Sequence, residues 1–97
     1  MTYEIFKQEI ENLGLKFFSL NMVVGINDDK DFIFNKPLCY VGINKIYDVY
    51  ITKYFYKLNG DLQKKVFKLV NELALTPLDK RGYLKEFEMK EVWYGII

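Results

Sequence analysis

Apolar side chains recur at helical spacing in two parts of the chain, one at its start and one in its second half. In the first part, Phe6, Ile10 and Leu13 follow one another at intervals of four and three residues, which places them on one face of a helix. Thr2 precedes this run as a typical N-cap, and Gly14 follows it as a typical helix end. The pattern predicts a first helix over residues 2–13.

The second periodic run predicts an amphipathic helix over residues 62–75. Its apolar positions share one face and are Leu62, Val66, Leu69, Val70 and Leu73. Asp61 is the expected N-cap of this helix. Pro77 prevents the helix from continuing, because proline lacks the backbone N–H and its ring clashes with the preceding turn.

Between the two helices the pattern changes to short apolar and β-branched runs separated by turn residues, which is typical of strands. These runs cover residues 15–20, 22–26, 32–34, 38–43 and 46–51. Asn44 and Lys45 separate the last two runs and have the spacing of a two-residue hairpin turn. The region therefore predicts an antiparallel meander of three or four strands.

Three shorter segments complete the predicted architecture. Residues 52–58 are aromatic and basic and form a connector or a short helical turn, and residues 77–81 form a one-turn helix capped by Thr76 and closed by Gly82. In the tail, apolar positions alternate with charged ones, as in a half-buried strand: Phe87, Met89 and Trp93 against Glu86, Glu88 and Lys90. The chain is predicted to be one α+β domain over residues 1–97: an N-terminal helix, an antiparallel meander of three or four strands, an amphipathic helix packed on the sheet, and a C-terminal strand.

Composition changes this picture through its aromatic residues. The chain has eight Tyr, eight Phe and Trp93, seventeen aromatic rings in all, and no histidine. Histidine is the side chain best suited to proton transfer near neutral pH, whereas Tyr and Trp supply stiff, partly polar contact surface. The net charge of +1, from 14 basic and 13 acidic residues, is too balanced for a DNA mimic or a generic nucleic-acid binder. Composition thus favours recognition over chemistry.

Clusters that would support catalysis or ligand binding are not evident in the sequence. Asp28, Asp29 and Asp31 lack the alternating spacing and distal Glu of a calcium loop and are expected to form a solvated turn. The six glycines are scattered singly, so no phosphate-binding loop is predicted. Cys39 lies in an apolar run and is expected to be a small buried hydrophobe. We expect a protein that is not an enzyme, with no cofactor and no metal.

The expected location is the cytoplasm. The N-terminus mixes acidic residues into its apolar positions and lacks the apolar core of a signal peptide. No apolar run approaches the roughly 18 residues of a membrane span. The single cysteine cannot form an internal disulfide, so nothing indicates an oxidising compartment.

Two segments carry a resemblance to a known family. The opening Y-E-I-F-K-Q-E-I-E-N-L-G-L of residues 3–15 resembles the start of small proteins encoded by phages and prophages of low-GC Gram-positive bacteria. Residues 62–81, with V-F-K-L-V-N-E-L-A-L-T-P-L-D-K-R at their end, resemble a second signature of the same family. The resemblance implies a phage accessory protein acting in the host cytoplasm, and it transfers no catalytic residue. The segment 47–56 departs from the family in being more aromatic.

The aromatic segment and the basic residues that follow it are the candidate partner-binding site. A chain of this size cannot readily bury every ring, and exposed Tyr is enriched at interface hot spots. The candidate residues are Tyr47, Tyr50, Lys53, Tyr54, Tyr56, Lys57, Lys64, Lys65 and Lys68. The resemblance implies that the partner is a host protein. The most specific version of this hypothesis is that the chain acts like an anti-CRISPR protein and inhibits a CRISPR nuclease. A single-stranded nucleic acid gripped by residues 53–68, or a homodimer, would use the same features.

Overall fold

The computed structural model describes residues 1–20, 22–28 and 36–84. The structure has two α-helices, α1 (Tyr3–Asn12) and α2 (Gly60–Leu75), and a meander of four strands lies between them along the chain. The strands are β1 (Leu15–Leu20), β2 (Val23–Asp28), β3 (Cys39–Gly42) and β4 (Val49–Ile51). Short 3-10 helices follow at Lys53–Lys57 and Leu78–Lys80. The predicted α+β class is confirmed: an N-terminal helix, a four-stranded antiparallel sheet and a second helix packed on it.

Both helices begin at a side-chain cap. The hydroxyl of Thr2 accepts a hydrogen bond from the backbone N–H of Ile5 at 3.2 Å, as predicted. At α2 the cap is Asn59, whose side chain accepts from the N–H of Leu62 at 2.9 Å, so the prediction of Asp61 as the cap is wrong. Because Asn59 caps α2, Asp61 lies in the first turn of the helix, where its negative charge interacts favourably with the helix dipole.

The four strands pair in the order β1-β2-β3-β4, and all neighbours are antiparallel. Both helices pack on one face of this sheet, which we call the inner face. The core there combines buried residues of the helices with alternate residues of the central strands: Phe6, Ile10, Val24, Ile26, Cys39, Val41, Val66, Val70 and Leu73. Cys39 is fully buried, as expected, and burial raises the pKa of its thiol to about 12.

The loop between β3 and β4 differs from the predicted two-residue hairpin. A turn at Asn44 and Lys45 would pair Cys39 with Tyr50, but in the structure Tyr40 pairs with Tyr50. The loop is longer because Gly42 donates its N–H to the carbonyl of Asp48 at 2.8 Å. A one-residue change of register moves every side chain of a strand to the opposite face, so Tyr50 lies on the outer face of the sheet.

Arg81 is a fully buried charged residue that joins three parts of the fold. Its guanidinium donates to the carbonyl of Gly42 at 2.7 Å, of Thr76 at 2.9 Å and of Ala74 at 3.3 Å. Its own carbonyl accepts the N–H of Tyr3 at 2.7 Å, and the Tyr3 ring lies 5.9 Å from the guanidinium carbon. Arg81 therefore connects the end of α2 with β3 and the start of α1.

Two further predictions concern the segments after α2. Thr76 does not cap a following helix: its hydroxyl donates back to the carbonyl of Glu72 at 2.8 Å, and the 3-10 helix Leu78–Lys80 has no side-chain cap. Gly82 does close this turn, at a positive φ of 82°. The predicted C-terminal strand with Phe87, Met89 and Trp93, and the predicted strand at residues 32–34, lie outside the described residues.

Candidate partner-binding surface

Three of the four candidate tyrosines project into solvent around β4. The exposed fraction is 69% for Tyr47, 64% for Tyr50 and 67% for Tyr56. Tyr54 is half-buried and packs against the core. Rings exposed to this extent bury little of their surface on folding and are accessible to a partner.

Tyr47 is held by its backbone. It is the one non-glycine among the described residues with a positive φ, at 66°. This left-handed conformation is unfavourable for a residue with a bulky side chain. The N–H of Tyr47 donates to the carbonyl of Ala74 in α2 at 2.9 Å, which fixes the loop before β4 against the end of that helix. Tyr47 thus presents its ring from a strained but anchored position.

Tyr50 belongs to a row of rings across the outer face of the sheet. Its ring centroid lies 6.1 Å from that of its cross-strand partner Tyr40, and Tyr40 lies 6.1 Å from Phe18 on β1. Gly25 lies beneath the Phe18 ring, which leaves no room for a side chain there. Burial, and secondarily the charge of Tyr50, raise the pKa of Tyr40. We call Phe18, Tyr40 and Tyr50 the outer aromatic row.

The 3-10 helix Lys53–Lys57 carries the other two candidate tyrosines, Tyr54 and Tyr56, and is itself fixed by hydrogen bonds. At its start, the Thr52 hydroxyl accepts the N–H of Tyr54 at 3.1 Å and donates to the carbonyl of Pro37 at 2.6 Å. Phe55 is buried, and the Tyr56 ring packs edge-on against it at 5.3 Å. The side-chain amide of Gln63 donates to the carbonyls of Tyr56 and Leu58, which joins this platform to α2.

Two lysines converge on the Tyr54 ring. The ammonium groups of Lys53 and Lys57 lie 5.4 and 5.2 Å from its centroid, within cation–π distance. Both lysines are exposed, and among the described residues neither forms an ion pair. Their charge is therefore available to an acidic partner. We call Tyr47, Tyr50, Lys53, Tyr54, Tyr56 and Lys57 the tyrosine–lysine surface.

The three lysines of α2 form a separate part of the candidate site. Lys64, Lys65 and Lys68 are exposed on the helix face that points away from the sheet, and Lys65 pairs with Asp61 at 3.1 Å. No hydrogen bond, ion pair or ring contact within the described part of the chain joins these lysines to the tyrosines. They extend the positive charge along α2 without sharing the platform of Tyr54 and Tyr56.

Sequence reasoning missed two residues of this region. Tyr40 supports Tyr50, and the alternation of Tyr40 with the buried Cys39 and Val41 could have identified it as an outer-face residue. Asp48 lies with its carboxylate over Gly42 at the start of β4, which no sequence pattern indicated.

A concave feature of the molecule is lined by none of the candidate residues and by no residue of β4. A groove of about 390 Å³ runs between α1 and residues 81–84, with Phe17 of β1 in its lining. Its lining includes both signs of charge, from Glu4, Lys7 and Glu11. In the described residues, no group of three or more side chains suited to metal binding occurs. Nor is any described helix both long and apolar enough to cross a membrane.

Comparison with known proteins identifies no relative of this chain. No family model, no curated protein and no solved structure matches this chain.

Proposed function

We propose that this chain is a non-enzymatic binding protein that engages an acidic protein partner through the tyrosine–lysine surface. The observation that carries the proposal is the exposure of Tyr47, Tyr50 and Tyr56 within one short segment that also carries Lys53 and Lys57, which form no ion pair among the described residues. Rigid rings lose little conformational entropy on binding, and exposed Tyr is enriched among residues that dominate interface affinity.

The kind of partner follows from the charges and from the resemblance. Lys53 and Lys57 would meet carboxylates on the partner, and the lysines of α2 would strengthen the long-range attraction. The resemblance to small phage proteins makes a bacterial host protein the proposed partner, with a CRISPR effector nuclease as its most specific form. In that form the chain is a phage accessory protein that modulates a host defence in the host cytoplasm.

A single-stranded nucleic acid is the second candidate, favoured by the two lysines at the Tyr54 ring. Phosphates could bind the ammonium groups while bases stack on Tyr50 and Tyr56. The two candidates differ in their dependence on salt, because neutralising phosphates releases counterions and makes affinity fall steeply with salt concentration.

A pull-down experiment distinguishes a protein partner from a single-stranded nucleic acid. The chain is immobilised and exposed to nuclease-treated lysate of a low-GC Gram-positive bacterium, and in parallel to a fluorescent oligothymidine. We expect a discrete protein to be retained by the wild type and lost from Tyr56→Ala, whose truncation removes an exposed ring of hot-spot type and weakens binding by about thirtyfold.

The matched control is Tyr83→Ala, since Tyr83 is also exposed (79%) but lines the groove beside α1. It should retain the protein as well as the wild type does. Retention by Tyr56→Ala equal to that by Tyr83→Ala would contradict the protein-binding proposal. Tight, salt-sensitive binding of the oligothymidine alone would favour the nucleic-acid candidate.

A further inference from the structure

Residues 81–84 lie at one end of the groove beside α1. The N–H of Tyr3 donates to the carbonyl of Arg81 at 2.7 Å, which places these residues at the first turn of the helix. From there the lining of the groove extends to Glu11 in the last turn, roughly 10 Å away at the rise of a helix. Leu84 lines the groove and packs against the core, so the chain continues from inside the groove.

The edge of β1 adjoins this groove. The N–H of Ile43 donates to the carbonyl of Met22 at 3.0 Å, so every second residue of β2 counted from Met22 faces β3 and the others face β1. The β1–β2 register then gives the residues of β1 whose backbone groups point away from β2: Leu15, Phe17 and Ser19. Ser19 is nevertheless fully buried, although no described strand lies beyond it, which indicates that more of the chain lies against this edge.

The residues that follow Leu84 have the pattern of a strand with one apolar side. Phe87 and Met89 alternate with three charged residues, Glu86, Glu88 and Lys90. The groove offers apolar contacts to the first set through Phe17 and Leu84. An extended chain advances about 3.3 Å per residue, so about four residues beyond Leu84 span the groove.

The direction of such a strand follows from the course of α1 and β1. Only two residues separate these elements, and the rings of Phe6 and Phe17 lie 6.1 Å apart, so β1 runs back along the helix on the inner face of the sheet. A segment that extends from the first turn of α1 toward its last turn therefore runs antiparallel to β1.

Charge and apolar character together select one register. Residues directly opposite in an antiparallel pair share a face of the sheet, and like charges opposite each other are destabilising. With Phe87 opposite Phe17 on the inner face, Glu88 lies opposite Lys16 on the outer face. A shift of two residues in one direction would place Lys90 opposite Lys16, and a shift in the other would replace Phe87 by a lysine inside the groove.

We propose that residues 85–90 form a fifth strand that pairs antiparallel with the edge of β1, with Phe87 opposite Phe17. Its apolar side fills the groove beside α1, so the chain itself occupies this groove. The sheet edge at β1 is then closed to an extended segment of another protein. This inference does not depend on the proposed function, because it concerns the purified chain alone and none of the residues of the tyrosine–lysine surface.

A pair of cysteines at positions 16 and 88 tests the register. Lys16 directs its backbone toward β2, so the two positions form a non-hydrogen-bonded pair with Cα atoms about 4.5 Å apart. That separation lies within the roughly 4.4–6.8 Å of disulfides. Under mild oxidation at low protein concentration, the double variant Lys16→Cys with Glu88→Cys is expected to form a disulfide within one chain, measured by mass spectrometry.

The matched controls combine Lys16→Cys with Glu86→Cys or with Lys90→Cys. Both positions share the face of Glu88 but lie two residues away, which places their Cα atoms roughly 8 Å from that of residue 16 and beyond disulfide reach. Each control should cross-link at least about tenfold more slowly, and Cys39 contributes no background because it is buried. Equal rates for the three pairs, or no disulfide between positions 16 and 88, would overturn the proposal.

Hydrogen exchange of the unaltered chain tests the pairing without cysteines. The amides of Phe17 and Ser19 should exchange within about tenfold of the rate of Phe18, which faces β2, because both kinds of amide donate within the sheet. The amide of Glu4 lies in the first turn of α1 and should exchange at least about a hundredfold faster. Exchange of Phe17 and Ser19 as fast as that of Glu4, as expected of an edge left open for another protein, would also overturn the proposal.

Discussion

Replacing Arg81 with alanine is expected to lower the free energy of unfolding by about 3–5 kcal/mol, as for other losses of a buried charged network. The guanidinium is fully buried and donates a hydrogen bond to each of three backbone carbonyls, at Gly42, Ala74 and Thr76. Without it, those carbonyls remain buried and lose a charged donor, and a cavity forms between α2 and β3. Urea denaturation followed by circular dichroism measures the loss.

The neighbouring Lys80 provides the control. It is exposed, and Lys80→Ala should change the free energy of unfolding by no more than about 0.5 kcal/mol. Arg81→Lys should recover only part of the loss, because an ammonium group cannot reproduce the planar fork that reaches carbonyls in different elements. A loss below about 1 kcal/mol for Arg81→Ala would mean that these bonds do not hold α2 and β3 together.

Replacing Gly25 with alanine is expected to cost about 2 kcal/mol of stability, in the range found for overpacked interiors. A Cβ at this position would overlap the ring of Phe18, which is buried on the outer face and has little freedom to move. Gly60→Ala is the matched substitution, since a Cβ there meets no atom within 4 Å. Thermal unfolding of both variants separates the effect of crowding from that of losing a glycine. Equal melting temperatures would contradict the close packing of the outer aromatic row over β2.

Local signals account for the parts of the fold that the sequence predicted. The first helix follows from a cap at Thr2, apolar residues at helical spacing, and Gly14 at a positive φ of 81°. Each of these signals depends on residues within one or two turns of each other. The cap of α2 was misassigned because Asn59 and Asp61 are both good caps, and only the start of the hydrogen-bond ladder distinguishes them.

Contacts between distant segments account for the parts that could not be predicted. The loop between β3 and β4 contains Tyr47 at an unfavourable φ, and the N–H of Tyr47 is held by the carbonyl of Ala74 in another element. Nothing in the sequence pattern indicates that Arg81 is buried, because its carbonyl partners are brought to it only when α2 packs on β3. A pattern of apolar and polar residues does not indicate hydrogen bonds between distant segments.

The residues of the candidate site were chosen from the sequence, and the structure adds their exposure and their supports. The sequence indicated an excess of rings between Tyr47 and Tyr56, and the structure exposes three of them while Tyr54 packs against the core. Among the described residues, no ion pair or cation–π contact joins Lys64, Lys65 or Lys68 to those rings. The role of all these candidate residues in binding a partner stays a prediction.

Residue-resolved footprinting of tyrosine in lysate tests the central claim most directly. The chain is nitrated in buffer and in nuclease-treated lysate of a low-GC Gram-positive bacterium at equal total protein, and each tyrosine is quantified by mass spectrometry. If the tyrosine–lysine surface binds a host protein, nitration of Tyr47 and Tyr56 should fall in the lysate while that of the equally accessible Tyr83 is unchanged. Nitration that is the same in both samples, or protection of Tyr83 to the same extent, would contradict the claim.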